Sequence, residues 1–266
     1  MRTRVTSLCA AAAALAAVLA GAGCGPSMAS PPKENPILAD LVDYRSGLVM
    51  LREGRADEAI QLLVQARKSS PRDPHVPNAL GLALLYKKDY PSAIRAFSDA
   101  LWLDATFVEA RNNRGVAYLQ AGNWDDAETD FQAVLDGPPA PDKVNAHYNL
   151  GLLYEKRGRI SDAEREYSLT IADSPDDTQA FRSRGLVRMK LEQNSGALED
   201  FLVVLKEDPK DAVANYQAAI CLLASDRRDL ARKFMQRAAD AAPETDEGRK
   251  AKRWLDNEPV PSGGTP

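Results

Sequence analysis

Histidine, cysteine and closely spaced carboxylates are the side chains most able to hold a metal or move a proton, and this chain is sparing with the first two. Its 266 residues include two histidines and three cysteines. His75 and His147 lie far apart, outside any His-Glu-x-x-His arrangement, and the cysteines are not paired at ligand spacing, so no metal site is expected. Cys221 sits in the apolar run Ala-Ile-Cys-Leu-Leu and reads as a small structural thiol rather than a nucleophile. The glycines form neither a Gly-x-Gly-x-x-Gly nor a Gly-Lys-Ser/Thr loop, which leaves no phosphate cradle and no nucleotide cofactor. The 38 acidic residues are spread along the chain with no pair marked as acid and base. No catalytic residue, cofactor or small-molecule substrate is expected. A formal charge of −4 argues against nucleic acid as a partner, because phosphate binding needs an excess of clustered Lys and Arg.

What remains is organisation. The chain opens with Met-Arg-Thr-Arg, an Ala-rich apolar run over residues 5–22 and the small residues Ala-Gly-Ala-Gly before Cys24, a secretory leader. A cysteine directly after small residues at the end of such a run resembles a bacterial lipoprotein signal, although Gly21 stands where that pattern prefers Leu. The resemblance implies removal of residues 1–23 and acylation of Cys24. Two or more acyl chains, at about 0.8 kcal/mol per buried methylene, would hold the rest of the chain at a membrane face. With Cys9 in the leader and Cys24 acylated, Cys221 has no disulfide partner. Residues 24–39 are rich in Gly, Ser and Pro and read as a flexible tether.

From residue 40 to 245 the chain repeats. Gly47, Gly81, Gly115, Gly151 and Gly185 are separated by 34, 34, 36 and 34 residues, and Ala219 follows after 34 more. Twelve residues after each stands an alanine (Ala59, Ala93, Ala127, Ala163, Ala197, Ala231), and four further on a large apolar residue (Leu63, Phe97, Phe131, Tyr167, Phe201, Met235). Pro71, Pro139, Pro175, Pro209 and Pro243 close five of the six units. A 34-residue period with these offsets resembles the tetratricopeptide repeat. The fold expected is all-α: a right-handed α-solenoid of six helical hairpins plus a capping helix over residues 246–257, with a disordered tail at 258–266. Within each unit the small residue is expected to face the alanine across the hairpin, with the large residue filling the space between hairpins. Gly-containing turns such as Arg-Glu-Gly54 and Ala-Gly-Asn123 separate the two helices, and Asp57, Asp125, Ser161, Ser195 and Asp229 are expected at the starts of the second helices.

In such a stack the first helices line an inner wall through repeat positions 2, 5, 9 and 12. These place Leu41, Tyr44, Leu48 and Leu51, then His75, Asn78, Leu82, Leu85 and the adjacent Tyr86, in the first two units. Glu109, Asn112, Val116 and Leu119, then Asn145, Tyr148, Leu152 and Glu155, follow; Gln179, Arg182, Leu186 and Met189, then Val213, Tyr216, Ile220 and Leu223, complete the series. A partner-binding groove is expected on Tyr44, Leu48, Leu51, Asn78, Leu82, Leu85, Tyr86, Asn112, Val116, Leu119, Tyr148 and Leu152, apolar at its centre and suited to an apolar helix or strand of another protein. Asn113 and Asn149 are placed to bond a partner's main chain. Position 5, which reads Tyr, Asn, Asn, Tyr, Arg and Tyr, lacks the set of Lys and Arg of a carboxylate clamp, so an acidic chain terminus is not the expected guest.

One break interrupts the rhythm. Leu-Asp-Gly-Pro-Pro-Ala-Pro-Asp, residues 135–142, adds two residues between the third and fourth units, before Asn-Leu-Gly151. A lipoprotein signal, a short tether, six repeats and this proline corner together resemble the pilotin lipoproteins of type IV pili. The resemblance implies a lipid-anchored protein on the periplasmic face of the outer membrane whose partner is a subunit of the pilus secretin. An envelope adaptor that docks cell-wall hydrolases or proteases is the alternative that composition leaves open.

Overall fold

A computed structural model describes residues 42–137 and 142–258. The leader, Cys24, the tether, Leu41, Pro139 and the tail from 259 lie outside the described residues. Thirteen helices account for nearly all of the rest, with no strand among the described residues. The chain divides into two compact units, meeting in sequence at Arg157 and Gly158.

The first unit holds α1 (Val42–Arg52), α2 (Ala56–Ser69), α3 (His75–Tyr86), α4 (Tyr90–Leu103), α5 (Val108–Ala121), α6 (Trp124–Asp136) and α7 (Asp142–Lys156). Consecutive helices pack as hairpins, α1 on α2, α3 on α4 and α5 on α6, and each hairpin packs on the next. The second unit holds α8 (Ile160–Asp173), α9 (Thr178–Lys190), α10 (Asn194–Glu207), α11 (Ala212–Ala224), α12 (Arg228–Ala241) and α13 (Asp246–Asn257). Here α9 pairs with α10 and α11 with α12, while α13 packs on α12 and also touches α11.

The repeated small and large residues do set the hairpins, though through a different contact from the one expected. The nearest atoms facing the small residue belong to the large residue sixteen positions on, and the alanine comes behind it, as at Gly47, where a placed Cβ would find Leu63 at 2.8 Å and the carbonyl of Ala59 at 3.5 Å. A Cβ placed on Gly81 would fall 2.5 Å from Cε1 of Phe97, and one on Gly115 2.6 Å from Cε1 of Phe131. Those rings occupy the space that a side chain on the first helix would need, which draws the two helices together. Leu63, Phe97, Phe131, Tyr167, Phe201 and Met235 are all fully buried, and burial of each is worth about 1.5–3 kcal/mol. The alanines of the series are equally buried, small because a neighbouring helix passes over them.

Each turn from first to second helix carries one residue in the left-handed region, at the same repeat position every time: Gly54, Lys88, Gly122, Gly158, Glu192 and Asp226. The glycines adopt it freely, whereas the other three hold a conformation that costs an ordinary residue about 1–2 kcal/mol. The second helices begin one residue before the positions expected to start them. Ser161 and Ser195 therefore lie inside the first turn, behind Arg159 and Gln193, which cap nothing with their side chains. Asp57, Asp125 and Asp229 also fall in the first turn, where a carboxylate favours the helix dipole. Side-chain caps form instead at Asp89, Asp177, Asp211 and Thr245. Trp254 and Leu255 of α13 cover the apolar cluster around Met235 and Ala251, so the last helix closes the second unit.

Candidate protein-binding surface

Within the first unit the first helices α1, α3, α5 and α7 lie side by side, and their contacts use up most of the expected lining. Tyr44, Leu51, Asn78, Leu82, Leu85, Asn112, Val116, Leu119, Tyr148 and Leu152 are all buried, each less than a tenth exposed. Only Leu48 and Tyr86 keep intermediate exposure. The reason is a seam between neighbouring first helices in which position 5 of one meets position 6 of the next. Asn113 donates from Nδ2 to Oδ1 of Asn78 at 3.2 Å, and Asn149 donates to Oδ1 of Asn112 at 3.2 Å. The amides expected to bond a guest are thus engaged inside the stack, in a buried setting where a paired amide is strongly preferred to a lone one.

Among the repeat wall positions, those that stay partly exposed lie mostly in the second unit. Leu186 and Met189 on α9, and Tyr216, Ile220 and Leu223 on α11, occupy the same wall positions but stay partly exposed while packing on the core beneath them. Position 6 here is Ser183 and Gln217 rather than asparagine. Arg182 occupies position 5 and pairs with Asp211, which also caps α11 by accepting from the N–H of Ala214 at 2.8 Å. The register of α9 and α11 puts these five side chains on one face, with the Arg182–Asp211 pair as a polar margin. Such a face can take an apolar helix or extended segment.

A second device, absent from the sequence reading, stiffens both units. Arg114 donates from Nε and Nη2 to the two carboxylate oxygens of the buried Asp130, each at 2.8 Å, and from Nη1 to Oγ of Ser98. Arg184 repeats this with Asp200 and Ser168, and Arg188 adds Nη1 to Oδ2 of Asp200 at 3.0 Å. Bidentate geometry makes these strong positional restraints that tie three successive helices. The signal was present as Ser, Arg and Asp at intervals of sixteen residues, twice.

Groups considered for chemistry have structural surroundings. His75 opens α3, where its Nδ1 lies 2.8 Å from Asp73 and its ring 4.9 Å from that of Phe107. His147 is partly buried on α7. Cys221 is buried on α11, and burial pushes its thiol up to about 11. Among the described residues no three His, Cys, Asp or Glu side chains are gathered as a metal site, and no helix is long and apolar enough to cross a membrane. A hollow of about 380 Å³ between α2, α3 and α4 is lined by Leu80, Leu84, Ile94 and Arg95, with Arg67 and Asp99 paired across it at 2.8 Å.

Models of the tetratricopeptide repeat match residues 44–112, 78–143 and 112–178, and a further one matches residues 188–255. The chain belongs to the tetratricopeptide-repeat family. Among curated relatives of this repeat protein, the human protein O-mannosyl-transferase TMTC3 is 26% identical over 172 residues, 60% of the chain and 19% of that relative. A DnaJ homolog subfamily C member 7 homolog of Dictyostelium discoideum is 22% identical over 177 residues, 61% of the chain and 33% of the relative. The chain therefore spans a third or less of the length of these relatives. Among solved structures, PilW, described as a widely conserved type IV pilus biogenesis factor, superposes with a TM-score of 0.72 at 18% identity, covering 82% of this chain and all of its own. PilF of Pseudomonas aeruginosa gives 0.70 at 15% identity, covering 80% of this chain and 96% of its own. YrrB, described as having an unusual peptide-binding site, gives 0.58 at 21% identity over 72% and 97%. At these identities the likeness establishes a shared repeat fold.

Proposed function

We propose that the chain is a lipid-tethered scaffold that grips an apolar segment of another polypeptide and performs no chemistry of its own. In this reading Cys24 carries the anchor, the repeats stand on the periplasmic face of the outer membrane, and the guest is a type IV pilus secretin subunit held for assembly. The observation that carries the reading is the partly exposed apolar wall of Leu186, Met189, Tyr216, Ile220 and Leu223. The fold shared with PilF and with PilW, the latter described as a pilus biogenesis factor, supports the choice of guest. Tethering raises the local concentration of scaffold and guest, so a modest affinity at this wall suffices.

A photo-reactive amino acid placed at Leu186 or Ile220 and activated in intact membranes tests the guest. Recovery of a secretin subunit, with loss of secretin multimers in the Leu186→Asp/Ile220→Asp variant, is the expected result. Capture of cell-wall hydrolases or proteases with multimers unchanged would overturn the pilotin assignment while leaving the wall as a binding surface.

A further inference from the structure

The first helix presents a second surface, separate from the wall on α9 and α11. In α3, repeat positions 3, 6 and 10 are Val76, Ala79 and Ala83, all fully buried where the α1/α2 hairpin packs on that helix. The same positions in α5, Ala110, Asn113 and Ala117, are again fully buried. In α1 they are Val42, Arg45 and Val49, and Val42 is 73% and Val49 41% exposed. Arg52, three residues further along the same stripe, is exposed as well. The opposite side of α1 is conventional, with Tyr44, Gly47 and Leu51 packed inward. This stripe is thus the stacking face that α3 and α5 use, and in α1 no described residue covers it.

Its charges decide what fits. Neither Arg45 nor Arg52 has a hydrogen bond or ion pair among the described residues, whereas Arg55 just beyond is held by Glu53 and Glu58. A second copy laid on the face would set arginine against arginine. The end of the chain is no better a mate, because the α13 carboxylates Asp246, Glu247 and Asp256 are not seven residues apart and exposed Lys250, Lys252 and Arg253 stand between them. We infer that the open face of α1 docks a helix of a partner polypeptide carrying two carboxylates seven residues apart with aliphatic side chains between them. Seven residues of helix rise about 10.5 Å on both sides, so two carboxylates meet Arg45 and Arg52 together while Val42 and Val49 take the aliphatic contacts. The inference does not rest on the pilotin reading, since it concerns another surface and needs no secretin.

The test uses the whole chain and two labelled alanine-based helical peptides. One carries Glu at positions seven apart with Leu between them; the other has Lys in place of Glu. Fluorescence anisotropy should show binding of the Glu peptide and not of the Lys peptide. Arg45→Glu/Arg52→Glu should reverse that order, weakening the Glu peptide about tenfold, since exposed pairs contribute up to about 1 kcal/mol each and 1.4 kcal/mol is tenfold. Both positions are exposed, so folding is preserved, and circular dichroism checks it. In a parallel measurement, a Val49→Cys variant should label rapidly in the free chain and slowly with the Glu peptide bound. Equal binding of the two peptides, affinities indifferent to the charge reversal, or slow labelling of the free chain, which would mean that its own N-terminal segment covers α1, would each overturn the inference.

Discussion

Substitution of Gly81 by Ala tests the packing rule that builds each hairpin. The added methyl would lie 2.5, 2.7 and 2.8 Å from three atoms of the Phe97 ring, which is fully buried and has no free direction to move. Alanine gains about 1 kcal/mol over glycine in a helix interior, and overpacking a tight core costs about 1–3 kcal/mol. Three contacts under 3.0 Å put the cost at the upper end, so a net loss of about 2 kcal/mol is expected. The last hairpin shows how the same site accepts a methyl: Ala219 stands at the small position, Met235 at the large one, and both are fully buried. An unbranched methionine bends away where a ring cannot. Phe97→Met alone should cost about 1 kcal/mol, and the double variant Gly81→Ala/Phe97→Met should be no less stable than Phe97→Met. Urea unfolding of the four proteins, followed by circular dichroism, reads the cycle. Additive losses within about 0.5 kcal/mol, or a Gly81→Ala protein as stable as the parent, would refute the claim that the glycine exists to admit the ring.

Three other outcomes follow from the same geometry. Glu192→Gly and Lys88→Gly should each stabilise the chain by about 0.5–1 kcal/mol in thermal unfolding, since both residues sit at positive φ, and Gly122→Ala should lose about 1 kcal/mol. Gly248→Ala should undock α13, because its Cβ would fall 2.0 Å from the carbonyl oxygen of Ala242; faster amide exchange in α12 and α13 reports it. Native Cys221 should resist maleimide at neutral pH, judged by mass spectrometry of its peptide, and react once the chain is unfolded. Because burial raises its folded value to about 11 from 9.0, the thiol ionises first in the unfolded chain. Its contribution is intact below pH 9 and declines toward pH 11, by about 3 kcal/mol in all.

The repeat was legible because its cause is local and periodic: a small residue and a large one sixteen apart must meet whenever two helices close on each other. The partner within that pair was not legible, since Ala59 and its equivalents lie at helical spacing as well, and only the fold shows Phe97 rather than Ala93 pressed on Gly81. Membership of the wall could be counted from repeat positions, but accessibility could not. Whether Asn112 or Tyr216 faces solvent depends on the residue at position 6 of the next first helix and on whether such a helix follows. Asn149 closes the seam beside Asn112, and Tyr216 remains partly exposed. The Arg114–Asp130 and Arg184–Asp200 ties were visible as spacings, yet nothing in composition separates them from ordinary solvated charges.

In the proposed function, the wall of α9 and α11 is where another polypeptide is held. Methyl NMR of the whole chain, titrated with a purified secretin subunit, measures this directly. Resonances of Leu186, Met189, Ile220 and Leu223 should shift and broaden while the buried Leu82 and Leu85 stay put. No perturbation at those four residues, or changes confined to α1–α7, would contradict it.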